Sequence, residues 1–127
     1  MWRVAIYARE APGRVGRRRL DRQVAGLAAK VARQPGLGHV ASYGDLSLSG
    51  YRPGLARLLA DAPDRFDVVV VDGYCRISPN RRQLASILDQ LRWAGVGVVV
   101  LEPSAGHRFA KLVANLALAD LIGEAAR

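Results

Sequence analysis

Four consecutive valines, Val68 to Val71, stand between Asp67 and Asp72. Side chains alternate between the two faces of a strand, so this run is apolar on both and must be covered on both. A second run, Val96-Gly97-Val98-Val99-Val100-Leu101, has the same character. Strands of this kind belong to a sheet with helices packed on each side, not to a sheet with one wet face.

Residues 3–8 (Arg-Val-Ala-Ile-Tyr-Ala) and 39–43 are two further short β-like runs. Helical spacing of apolar residues fills the intervals. It covers about 18–33, with Leu20, Val24, Leu27 and Val31 on one face, and 53–62, with Leu55, Leu58 and Leu59. It returns over 80–94, with Leu84, Ile87, Leu88 and Leu91, and over 108–122, with Leu112, Val113, Leu116 and Leu121. Strand and helix therefore alternate four times with short links. The pattern predicts an α/β fold, a three-layer α/β sandwich on a mostly parallel sheet of four to five strands. Pro35-Gly36 ends the first helix, Pro53 suits the first turn of the second, and Pro103 closes the fourth strand.

A chain of 127 residues, half of them hydrophobic and 24% charged, is expected to be one folded domain spanning 1–127. It contains no internal repeat, low-complexity tract or interdomain linker. No apolar run reaches eighteen residues and the start lacks signal-peptide architecture, so a membrane or secretory role is not expected. Cys75 is the only cysteine, which excludes an intrachain disulfide and makes the cytoplasm the expected setting. His39 and His107 are isolated and form no metal-ligand set with it. No metal or cofactor is expected.

The formal net charge is +8, carried by seventeen arginines against two lysines, Lys30 and Lys111. Codon bias explains a shortage of lysine but not the shortage of acidic residues. A polyanionic partner fits this excess, nucleic acid first and an acidic protein second.

Ligands of open α/β sheets bind at the carboxyl ends of the strands. Arg9 follows the first strand, Asp45 and Ser49 the second, and Arg76 the third, while Arg52 precedes the second helix. Three arginines brought to one edge would make a phosphate site, because a guanidinium grips phosphate oxygens in a bidentate fork.

These residues also lie in motifs. Tyr43-x-Asp45-x-x-x-Ser49-Gly50 is followed by Arg52-Pro53-Gly54-Leu55-x-x-Leu58-Leu59-x-Asp61-Ala62, then by Phe66-Asp67-Val68-Val69-Val70-Val71. With Leu20-Asp21-Arg22-Gln23 and Gly95-Val96-Gly97-Val98, the order and spacing resemble the catalytic domain of the serine recombinases (resolvases and invertases) over about residues 3–122. The resemblance implies a resolvase-like fold. It also implies that Arg9, Arg52 and Arg76 hold a scissile phosphate, with Gln23, Asp45 and Ser49 as supporting positions.

Three departures run against that pattern. Where the family reads Tyr-x-Arg-Val-Ser, this chain has Tyr7-Ala8-Arg9-Glu10-Ala11, so Ala11 stands in place of the nucleophilic serine. Where the family reads Leu-Asp-Arg-Leu-x-Arg, the chain has Tyr74-Cys75-Arg76-Ile77-Ser78-Pro79. Cys75 replaces a carboxylate and Pro79 an arginine. The resemblance also implies a long final helix, here about 109–122, able to pair with a second copy or a recombinase-like partner. No C-terminal helix-turn-helix DNA reader is expected.

A basic loop, Arg14-Val15-Gly16-Arg17-Arg18-Arg19 with Arg22, is the densest charge cluster. It is either a solvated loop or a non-specific, salt-sensitive contact with the DNA backbone. No aromatic residue is interleaved to stack bases. Three functions stay open: an inactive recombinase-like domain acting by binding, a residual phosphoryl-transfer enzyme using another nucleophile such as Cys75, and a protein–protein module with a vestigial site.

Overall fold

A computed structural model of the chain describes residues 1–47 and 50–100, Pro63 by its backbone alone. Ser49 and the helix expected over 108–122 lie outside the described residues. The elements in chain order are β1 (Trp2–Glu10), α1 (Gly16–Ala32), β2 (Leu37–Leu46), α2 (Pro53–Arg65), β3 (Val68–Val71), α3 (Tyr74–Ile77), α4 (Arg81–Trp93) and β4 (Gly97–Val100).

The four described strands form one sheet in the order β2-β1-β3-β4, and every pairing is parallel. Alternation along the strands divides the core in two. Val4, Ile6, Val68, Val70 and Val99 pack with Leu27 and Val31 of α1. Ala5, Tyr7, Val69 and Val71 pack with Leu55 and Leu58 of α2 and with Ile87 and Leu91 of α4. This is the expected three-layer sandwich. Val4 through Ala8 are all 0% exposed, which makes β1 a central strand. Each such valine or isoleucine contributes on the order of 1.5–3 kcal/mol by leaving water.

The helices begin and end where local chemistry requires. Pro53 occupies the first turn of α2, where its missing N–H costs nothing. The Asn80 side chain accepts from the N–H groups of Arg82 and Gln83 and so caps α4. Gly36 and Gly95 follow α1 and α4 with φ of +83° and +80°, a conformation that side chains disfavour.

Two strands are longer than the apolar runs suggest. β1 extends to Glu10, and β2 extends to Leu46 although His39, Ser42 and Asp45 interrupt its apolar residues. β2 lies at the edge of the described sheet, so one of its faces tolerates water. Its register with β1 slips once: Val4 pairs with His39 and Ala5 with Ala41, so Val40 is skipped. The short helix α3 has no counterpart in the sequence pattern, since four residues carry no periodicity.

Candidate phosphate site

The chain crosses from β1 out to β2, then returns across the sheet to β3. The crevice between the carboxyl ends of β1 and β3 is therefore the topological switch point, where such sheets take their ligands. Strand alternation sends adjacent residues to opposite sides of this crevice. Arg9 continues the Ala5 and Tyr7 side, toward α3, while Glu10 continues the Val4 and Ile6 side, toward α1.

The three arginines expected at the site do meet there, around α3. Arg9 Nη2 donates to the Cys75 carbonyl at 3.0 Å. Arg52 is 6% exposed, and its Nη1 donates to the carbonyls of Ile77 and, at 3.4 Å, of Arg76. Arg76 Nη1 returns to the Arg9 carbonyl at 2.8 Å. The carbonyls at a helix C-terminus carry partial negative charge, so α3 is a natural anchor for guanidinium groups. Each arginine has five N–H donors, and these bonds use only part of the set.

Gln23 joins the cluster from α1. Its amide accepts from the Arg9 N–H at 3.1 Å and donates to Glu10 Oε1 at 3.0 Å. Glu10 lies 3.5 Å from Arg76 Nη1, and Asp72 lies 3.7 Å from Arg76 Nη2. Sequence reasoning missed Glu10 and Asp72. The signal for Glu10 is parity along β1, which aims it at α1 and away from Arg9.

Asp45 lies deeper and organises the frame. Its carboxylate accepts from Gly54 N–H at 2.8 Å, Leu55 N–H at 2.9 Å and the Tyr7 hydroxyl at 2.8 Å. It therefore caps α2 from another strand. Burial first, and then the bond to Asp45, push the Tyr7 hydroxyl well above its ordinary range. Any Cβ at Gly54 would stand 2.3 Å from the Gly44 carbonyl oxygen, so only glycine lets α2 approach this closely.

Ala11 is exposed and directly follows β1. Its carbonyl oxygen lies 2.4 Å from where a Gly16 Cβ would be, so the turn into α1 is tight. Cys75 is exposed on α3, and Pro79 is exposed ahead of α4. Most of the basic stretch is not a loop. α1 begins at Gly16, which leaves Arg14 in the turn and sets Arg17, Arg18, Arg19 and Arg22 on the helix. The turn 11–15 is short, and Gly16 N–H closes it on the Gly13 carbonyl at 3.1 Å. All five arginines are exposed, and Arg17 pairs with Asp21 at 3.4 Å. The first turn of α1 holds no acidic residue and has no side-chain cap.

A cleft of about 290 Å³ opens between α1 and the ends of β1 and β3. Arg19, Arg22, Lys30 and Arg76 line it as cations, with Glu10, Asp72 and Gln23 among them. Among the described residues no three His, Cys, Asp or Glu side chains are placed to hold a metal ion. No described helix is long and apolar enough to cross a membrane.

Similarity to known proteins agrees with this fold. The N-terminal catalytic domain of TP901-1 integrase superposes with a TM-score of 0.68 at 26% identity, covering 98% of this chain and 96% of that one. The C-terminal catalytic domain of IS1535 TnpA, an IS607-like serine recombinase, gives 0.59 at 30% identity, covering 93% and 98%. A resolvase family site-specific recombinase from Streptococcus pneumoniae gives 0.67 at 19% identity, covering 100% and 91%, a likeness of fold alone. No curated protein sequence matches significantly. The profile described as "Resolvase, N terminal domain" matches residues 4–122, and the chain belongs to that family.

Proposed function

We propose that this domain binds the phosphate backbone of DNA at its arginine cluster without cutting the strand, acting in the cytoplasm. One observation carries the reading. Arg9, Arg52 and Arg76 are gathered at the switch point, while residue 11, which runs out of β1 beside them, is an alanine. Strand cleavage through a covalent intermediate needs a nucleophile in line with the phosphate. A methyl group supplies none. The cations that steady a phosphorane remain able to hold a ground-state phosphate.

Arg9 and Arg76 contact the phosphate in this reading, and Arg52 holds α3 beneath them. Gln23 and Asp45 support the frame, and Ser49 is carried in the proposal as a further supporting position. The exposed arginines of α1, with Arg14, add contacts that do not depend on sequence. Pairing with a second copy or a recombinase-like partner through 109–122 is part of the proposal. Light scattering tests that part, and a strict monomer at all concentrations removes self-pairing.

Fluorescence anisotropy with a labelled duplex over a salt series tests the site. Each phosphate contact adds about 0.9 to the slope of log affinity against log salt. Arg9→Ala and Arg76→Ala are expected to weaken binding and flatten that slope. No binding at low salt, or binding indifferent to both substitutions, overturns the proposal. A nick or covalent adduct on supercoiled DNA that vanishes in Cys75→Ala favours residual chemistry instead.

A further inference from the structure

Glu10 sits where a phosphate oxygen would be useful to the arginine cluster. Its carboxylate is 3.5 Å from Arg76 Nη1 and receives Gln23 Nε2 at 3.0 Å. It is only 18% exposed, and Arg76 is 29% exposed, so the pair is partly shielded from water. Asp72 holds the other end of the same guanidinium at 3.7 Å. By contrast, Arg19, Arg22 and Lys30 line the same cleft with no ion pair among the described residues. Among the described residues, the cleft thus contains one ion-paired cation, Arg76, and three on α1 without an ion pair.

We propose that this cleft is a phosphate site held shut by its own carboxylate. Glu10 is the internal counter-ion of Arg76, and an incoming phosphate group displaces it and bridges Arg76 to Arg19 and Arg22. Binding is then an exchange of one anion for another, and the affinity reports the difference between them. No bond is made or broken beyond ion pairs and hydrogen bonds. The inference rests on the reading of the arginine cluster as a DNA-phosphate site, but it makes a separate demand: removing the Glu10 charge must improve binding.

Glu10→Gln tests this because it keeps the shape and the acceptor for Gln23 while losing the charge. The control is Asp89→Asn, an exposed carboxylate on α4, on the opposite face of the sheet. Anisotropy with a labelled 20-base-pair duplex at low salt is expected to show about fivefold tighter binding for Glu10→Gln and less than twofold for Asp89→Asn. In the Arg76→Ala background the Glu10→Gln gain is expected to disappear, since the cation it frees is absent.

A parallel thermal-shift series with inorganic phosphate separates the sources of the ligand. A gain with both probes supports a backbone phosphate, and a gain with inorganic phosphate alone supports the site but assigns it to a small anion. Equal gains for Glu10→Gln and Asp89→Asn overturn the counter-ion role and leave DNA binding intact. Failure of wild type and Glu10→Gln to bind either probe overturns both readings.

Discussion

Asp45 Oδ1 lies 2.8 Å from the backbone nitrogen of Gly54, so a residue at the end of one strand caps the helix that begins eight positions later. The other carboxylate oxygen takes Leu55 N–H and the Tyr7 hydroxyl. Asp45→Ala removes the acceptor for three buried donors at once. We expect a loss of about 2–4 kcal/mol in urea-induced unfolding, and about 1–2 kcal/mol for Tyr7→Phe.

Two glycines give opposite results on gaining the same methyl group. At Gly54 it meets the Gly44 carbonyl at 2.3 Å and must push α2 off the sheet. Gly54→Ala is expected to cost about 3 kcal/mol or more. Gly26 lies inside α1 with nothing within 4 Å of its added Cβ. Gly26→Ala is expected to stabilise by about 0.5–1 kcal/mol. Thermal unfolding of both variants checks the pair.

Arg3 grips Asp67 through its side chain, with Nη2 to Oδ1 at 3.0 Å, and through its own N–H at 2.8 Å. Burial alone would raise the Asp67 carboxyl, but the bonds from Arg3 outweigh it and hold it below 3.8. Its contribution is therefore complete above that pH and is lost as the pH falls through the depressed value. Wild type is expected to exceed Arg3→Ala in stability at neutral pH. The gap is expected to close as the pH falls below 3.8. Unfolding curves across that range read it directly.

Placing a hydroxyl at the end of β1 is a direct test of the proposed loss of strand cleavage. Ala11→Ser is expected to form no covalent adduct and no nick on supercoiled DNA. Glu10 remains on Arg76, and neither Cys75 nor Pro79 offers the charge that the family pattern places there. Adduct formation in this variant would show that a hydroxyl at residue 11 is enough for cleavage and would overturn the wider loss proposed for Cys75 and Pro79.

Arg52 and Arg76 are expected to fail in different assays. Arg52 is buried and spends Nη1 on α3 carbonyls, so Arg52→Ala reads out as lost stability, on the order of 2 kcal/mol. Arg76 is more open and ion-paired, so Arg76→Ala reads out mainly in DNA affinity.

The valine runs of β3 and β4 and the leucine spacing of α2 and α4 made the layers legible, because burial on both faces leaves little choice of residue. Convergence of Arg9, Arg52 and Arg76 was legible from the places of Arg9 and Arg76 after strands and of Arg52 just before α2. The pairing of Glu10 with Arg76 was not, since it joins residues 66 positions apart through a four-residue helix without periodicity. The start of α1 was also misread by two residues, because Gly16-Arg17-Arg18-Arg19 has neither a capping side chain nor an acid in its first turn.

The skipped residue in β2 has a consequence outside the site. An outer strand with a regular repeat is a template on which another chain can continue the sheet. Here that repeat breaks at Val40, the fourth residue of β2, where the register with β1 slips. A neighbour laid alongside would find matching partners on one side of the break and mismatched ones on the other. One extra residue thus interrupts, along the edge of the described sheet, the template that another copy would need in order to extend it.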